Sequence, residues 1–210
     1  DDGYNAAFRR FLKKRNYAAY GWGQGRNFGP REGVLEGMEE RVKELVQRYE
    51  RPVSLVGHSL GGVYARELAR LMPDSVRQVI SLGSPFGEGR VEASYPGRLF
   101  AAMNPMDELP LDEDKLSTAP PVPTTAVYSH GDGVVNWLTC VQHDGHEQTQ
   151  NIRVRGSHCA LTLNPTVWFL VADRLAQAQD EWQPFESKNW SNAFYPATKN
   201  NRNLRAASRR

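Results

Sequence analysis

The apolar positions of the chain change their spacing repeatedly, and each change marks an element. Tyr4, Phe8, Phe11 and Leu12 recur at helical spacing, with Arg9, Arg10, Lys13, Lys14 and Arg15 filling the other face. This predicts an amphipathic helix over residues 3–15 whose basic face is solvated. Residues 17–22, Tyr-Ala-Ala-Tyr-Gly-Trp, read as a strand. The glycine-rich run Gly23 to Pro30 reads as a turn, since it lacks the Gly-Lys-Ser/Thr ending of a phosphate loop. Helical spacing returns between Arg31 and Tyr49 through Val34, Leu35, Met38, Val42, Leu45 and Val46, until Pro52 stops it. The short apolar run Val53-Ser54-Leu55-Val56 suits a strand buried on both faces. Residues 60–72 read as a helix ended before Pro73, and 76–82 as another strand.

After residue 84 the rhythm breaks. Residues 84–123 contain seven prolines, the acids Asp107, Glu108, Asp112, Glu113 and Asp114, and the apolar Phe86, Leu99, Phe100, Met103 and Met106. A long stretch without a clear period serves as a lid or binding loop, or as inserted helices that cover a sheet. Strands resume at 124–129 and 151–155. Residues 165–178 read as a helix, with Asn164 placed to cap it. From Lys188 to Arg210 there are six basic residues and no acids, a polar tail that is loosely docked or disordered. The alternation of helix and strand predicts an α/β fold: a mostly parallel central sheet with helices on both faces and right-handed connections. Residues 1–187 form one domain, 84–123 its insertion and 188–210 its tail.

Composition changes this picture little. A net charge of +2 gives no footing for nucleic acid or an anionic membrane. No apolar run reaches the ~18–20 residues of a membrane span. No secretory signal is visible, and the chain opens on Asp1-Asp2-Gly3 without an initiator Met. The compartment stays open between cytoplasmic and secreted or periplasmic, and the oligomeric state is not legible.

Chemistry enters at Gly57-His58-Ser59-Leu60-Gly61, a Gly-x-Ser-x-Gly pattern set between an apolar strand and a helix. A sharp turn there holds a serine hydroxyl above the carboxyl edge of the sheet, and the helix amides behind it favour negative charge. The amide of Leu60 is the expected oxyanion donor. The plainer alternative is a serine that merely caps a helix. A serine nucleophile needs a base. His158 follows the strand at 151–155 and precedes a helix. Asp132, in Ser129-His130-Gly131-Asp132-Gly133, follows the strand ending at Ser129, and Asp107, Asp112 and Asp114 are fallback acids. The order Ser59, Asp132, His158 is that of a nucleophile-elbow hydrolase. His58 packs beside Ser59 or touches the rim of the site. His143 and His146 sit in a polar surface loop with no metal-binding pattern. His58, Phe86, Met106 and Trp137 are the candidate substrate contacts, with core packing the alternative for each.

Four segments carry a family resemblance: Val53–Gly62 (VSLVGHSLGG), Ser81–Phe86 (SLGSPF), Tyr128–Val135 (YSHGDGVV) and Gly156–Pro165 (GSHCALTLNP). Together they resemble bacterial α/β-hydrolases of the lipase/esterase type, over about Gly3 to Phe185. The resemblance implies hydrolysis of small-molecule or lipid-like carboxylic esters through an acyl-enzyme on Ser59, with no metal or organic cofactor. A thioesterase or acyltransferase with the same triad, and a non-catalytic hydrolase-like scaffold, are the alternatives. It also implies a strand and a turn ahead of the first helix, the turn supplying a second oxyanion amide; the sequence begins at or after that turn. Since the loops bearing Asp132 and His158 are expected to meet, Cys140 and Cys159 are a candidate disulfide in an oxidising compartment.

Overall fold

The computed structural model describes residues 2–25, 33–87, 113–187 and 193–196. Helix α1 spans Ala6–Lys13 and α2 Val34–Tyr49; strand β1 spans Val53–His58, followed by α3 (Leu60–Leu71) and β2 (Val76–Leu82). A short α4 (Glu113–Leu116) precedes β3 (Thr124–Ser129), β4 (Thr149–Val154) and α5 (Pro165–Ala176). The four strands form one sheet in the order β1-β2-β3-β4, every pair parallel. The α/β architecture is therefore the one that the alternating pattern predicts.

Burial follows from the period of each element. In β2, Ile80 and Leu82 join Val127, Ile152 and Val154 under α1 and α5, where Phe8, Leu12, Val167, Leu170 and Val171 complete a core. Val79, one residue out of phase with Ile80, lies in a second core with Ala65 and Ala69 of α3. Leu35, Met38 and Val42 of α2 pack with Tyr64 and Leu68 of α3 in a third. The sheet thus carries helices on both faces, and its carboxyl edge is left to the loops. Asn164 caps α5 as its position predicts: its side chain accepts a bond from the Thr166 amide at 2.9 Å.

Two strand boundaries differ from the sequence pattern. Residues 17–22 lie outside the sheet. Three of their amides are engaged locally: Tyr17 donates to the Leu12 carbonyl, Ala19 to the Tyr17 carbonyl, and Trp22 to the Asp2 carboxylate. β-like composition makes a strand only where a ladder partner is in reach, and a cavity separates this run from β1. β4 begins two residues before the apolar signal, because Thr149 and Gln150 pair with Thr124 and Thr125 of β3 through backbone alone. Most of the stretch 84–123, including Met103, Met106, Asp107 and Asp112, lies outside the described residues. Of the basic tail, Tyr195 is described, and its hydroxyl docks on the Thr166 carbonyl at 2.9 Å.

Candidate active site

Ser59 sits between β1 and α3 with φ 54° and ψ −128°, a region costly for a side chain and held only where surroundings enforce it. Its amide donates to Leu82 at 3.0 Å, which ties the turn to the end of β2. The hydroxyl makes no cap bond to α3, which removes the reading of Ser59 as a helix cap. The glycines explain the tightness of the turn. A Cβ on Gly57 would lie 2.2 Å from the Gly61 carbonyl oxygen, and one on Gly62 would lie 2.0 Å from Ser84 Oγ. Gly61 differs from the pattern's expectation: a Cβ there would meet nothing within 4 Å. The Leu60 amide belongs to the first turn of α3, where backbone donors lack intrahelical partners.

Asp132 and His158 are delivered by the loops after β3 and β4. Asp132 Oδ2 and His158 Nδ1 are 2.8 Å apart, with both side chains buried. The other carboxylate oxygen accepts the amides of Val134 and Val135 at 3.1 and 2.6 Å. Burial alone would raise the Asp132 pKa, but the His158 hydrogen bond and charge and the Val135 and Val134 amides outweigh it, so the carboxyl is lowered. The loops are also joined by backbone: the His158 amide donates to the Asp132 carbonyl at 3.2 Å, and Ser129 Oγ donates to the Gly156 carbonyl at 2.6 Å. Gly83, directly after the Leu82 carbonyl that holds Ser59, lies against this pair. A Cβ at Gly83 would come within 2.7 Å of Leu161 Cδ1 and 3.1 Å of Asp132 Oδ2, and its φ is +54°. A side chain there would be strained by the positive φ and would have to displace the Leu161 methyl. With Nδ1 committed to Asp132, His158 has Nε2 left for proton transfer. No hydrogen bond joins that nitrogen to the Ser59 hydroxyl here.

The remaining predicted residues have definite places. His58 Nε2 is 3.0 Å from the His158 carbonyl oxygen, and the two rings lie 4.6 Å apart. Burial, then the charge of His158, lower the His58 pKa to about 4, so the ring is neutral at pH 7. Phe86 is fully buried, with the Arg66 guanidinium 3.7 Å from its ring centroid. Trp137 lies 4.1 Å from the His130 ring and 5.7 Å from that of Tyr128. Met106 lies outside the described residues. The disulfide expected between Cys140 and Cys159 is not formed: both are free thiols, Cys140 buried and Cys159 exposed. Cys140 packs with Tyr128 and Val141, and the backbone bonds already described join the two loops.

Three residues escaped the sequence reading. Tyr4 donates its hydroxyl to the Cys159 carbonyl and so ties the N-terminal segment to the His158 loop. Arg66 is fully buried in α3 and donates to the carbonyls of Leu116 and Thr118 and to Gln142 Oε1. Gly83 had a signal, a glycine just past a strand end, but its closeness to Asp132 and His158 is set by the fold. His146 Nε2, an expected surface group, lies 3.0 Å from the Pro120 carbonyl oxygen and 3.1 Å from that of Val122. Among the described residues no group of three or more His, Cys, Asp or Glu side chains is arranged to hold a metal ion. No helix there is long and apolar enough to cross a membrane.

Comparisons place this geometry among known folds. The sequence profile of the alpha/beta hydrolase family matches residues 3–204. A solved pyrethroid hydrolase is similar at TM-score 0.55 and 17% identity, over 84% of this chain and 93% of that one. An alpha/beta superfamily hydrolase from Oenococcus oeni PSU-1 is similar at TM-score 0.52 and 17% identity, over 72% and 74%. Aspergillus fumigatus lipase B is similar at TM-score 0.52 and 17% identity, over 70% of this chain and 42% of its own. At these identities the likeness is one of fold. No curated protein matches the sequence.

Proposed function

Because this chain belongs to the alpha/beta hydrolase family, we propose that it is a serine hydrolase that cleaves carboxylic esters through an acyl-enzyme on Ser59. The observation that carries the proposal is the buried 2.8 Å contact between Asp132 Oδ2 and His158 Nδ1, on a loop that His58, the residue before Ser59, reaches through its 3.0 Å contact with the His158 carbonyl. Such a pair fixes the imidazole tautomer and supports an imidazolium.

The chemistry follows from the atoms. Ser59 Oγ attacks the ester carbonyl while His158 Nε2 takes the hydroxyl proton. The tetrahedral oxyanion is met by the Leu60 amide at the start of α3. Collapse breaks the bond to the alkoxy group, which leaves as the alcohol with the proton from His158. Water then repeats the sequence, with His158 as base, and releases the acid. Asp132 stays ionised throughout. Small ester or lipid-like ester substrates suit this arrangement, with no cofactor in any step.

Intact mass after fluorophosphonate treatment, with peptide mapping, tests the reading. A single adduct on Ser59, absent in Ser59→Ala and much slower in His158→Ala, is expected, together with turnover of a p-nitrophenyl ester. An adduct with turnover confined to thioesters would replace the ester assignment. No adduct at all would overturn the serine hydrolase reading.

A further inference from the structure

The contact with Asp132 fixes how the His158 imidazole is turned, but not how far it stands from Ser59. That distance is set by the backbone of the loop that carries His158, and the loop is held from two sides. On the acid side, the His158 amide donates to the Asp132 carbonyl at 3.2 Å, and Ser129 Oγ donates to the Gly156 carbonyl at 2.6 Å. On the nucleophile side, two successive carbonyls of the loop each meet a polar atom of an aromatic side chain. His58 Nε2 lies 3.0 Å from the His158 oxygen, and the Tyr4 hydroxyl donates to the Cys159 oxygen.

A carbonyl oxygen only accepts, so His58 carries its proton on Nε2 and donates it there. The same oxygen accepts the Leu161 amide at 3.3 Å, so both of its lone pairs are engaged. His58 is the last residue of β1 and the one before Ser59. Its hydrogen bond therefore joins the base loop to the turn that holds the nucleophile. Tyr4 adds a second tie from the segment ahead of α1, with its ring 6.0 Å from that of His58. The His58 ring also lies 4.6 Å from the His158 ring, tilted by 42°. Burial, then the charge of His158, keep His58 neutral at pH 7. It thus stands beside the imidazole without opposing the positive charge that proton transfer creates there.

Resting on the hydrolase reading above, we propose that His58 and Tyr4 are positioning residues for that reaction. They hold the carbonyls of His158 and Cys159 so that the imidazole reaches the Ser59 hydroxyl, and they act through the loop backbone rather than on substrate. Two hydrogen bonds that only stabilised the fold would leave kcat alone once the protein is folded.

Four variants of the whole protein separate these cases. His58→Phe keeps a ring and loses the donor, His58→Gln keeps a donor, and Tyr4→Phe loses only a hydroxyl at an exposed position. The fourth combines His58→Phe with Tyr4→Phe. Turnover of p-nitrophenyl butyrate and hydrogen exchange by mass spectrometry are read on each. A misplacement of about 1 Å costs ~100-fold in rate, so His58→Phe should lower kcat by ~10–100-fold and Tyr4→Phe by ~10-fold, with KM little changed. His58→Gln should recover most of the rate. The combined variant should lose less than the product of the single losses, because both ties hold one loop. Exchange in 156–163 should quicken in His58→Phe and in Tyr4→Phe, and that in 124–129 should not. Unchanged kcat in either single variant, His58→Gln as slow as His58→Phe, or unchanged exchange in 156–163 would overturn the proposal. A parent protein that forms no Ser59 adduct with a fluorophosphonate would overturn the hydrolase reading and the positioning role with it. A parent that forms the adduct while the variants keep their kcat would overturn the positioning role alone.

Discussion

β4 and β1 are the two edge strands of one parallel sheet, and they are finished in opposite ways. The outer side of β4 is covered: the Gln150 side chain donates to the Phe185 carbonyl at 2.9 Å and accepts the Phe185 amide at 2.6 Å, which holds the Phe185 segment against the strand. Phe185 then stacks edge-on against Tyr195, 4.8 Å between ring centroids. Among the described residues no strand pairs with the outer side of β1. Open strand edges are a hazard that proteins cover or blunt, so the contrast locates where each half of the chemistry stands. Asp132 and His158 come from the closed half, their loops tied by backbone and side-chain bonds. Ser59 follows the strand with the open edge. The Asp132–His158 pair is therefore held by bonds already in place, while Ser59, the proposed nucleophile, follows a strand that is only half-buried.

The largest effect should come from breaking the Asp132–His158 pair. Asp132→Asn keeps the shape but places a donor where the imidazole N–H needs an acceptor. A loss of ~10³–10⁴ in kcat toward an activated ester is expected, with the fold retained. A loss under tenfold would mean that the pair does not orient the base.

Core truncation on each side measures the packing difference itself. Ile80→Ala, at a position with no exposed surface, should cost ~2–5 kcal/mol in urea unfolding. Leu55→Ala, on half-buried β1, should cost about 1 kcal/mol, since part of its side chain already faces open space. Equal losses would erase the distinction between the halves.

His58 joins the two halves and adds a pH dependence. Its pKa falls from 6.5 to about 4 on folding, so between those values the unfolded chain binds a proton that the native one refuses. Stability from this source is full above pH 6.5 and is lost as pH falls toward 4. Between pH 7 and pH 5 the share is about 1–2 kcal/mol. His58→Gln can keep a donor for the His158 carbonyl but does not titrate, so its unfolding free energy should change less over that interval than the parent's. An identical pH response would show that His58 is not the titrating group.

How much of this was legible in the sequence differs by region. The elbow was readable because its constraint is local: strand, glycines and helix are contiguous, and Ser59, Asp132 and His158 fall in chain order. The buried sheet was readable because parallel strands such as Val76–Leu82 place apolar residues on both faces, Val79 on one and Ile80 and Leu82 on the other. Tyr17–Trp22 misled because local composition reports strand preference and not the presence of a partner. β4 started early because Thr149 and Gln150 pair through backbone, which carries no side-chain signature. Arg66 was invisible for a different reason: a charged residue in a helix reads as exposed, and only the convergence of three distant acceptors keeps it buried.

The smallest effect tests the closed edge alone. Gln150 reaches Phe185 with both ends of its amide, so Gln150→Ala removes two hydrogen bonds from an edge that stays partly covered by Phe185. Water can reach the freed groups of Phe185, so the net cost should be about 1 kcal/mol and not the penalty of a buried unpaired pair. The local signal should be clearer than the global one. Exchange in 149–154 should quicken toward the rate of 53–58, because Phe185 would no longer be held over that edge. If β4 exchange stayed slow, its protection would come from burial under α5 rather than from the Gln150 clamp, and the two edges would differ in depth, not in whether something is paired to them.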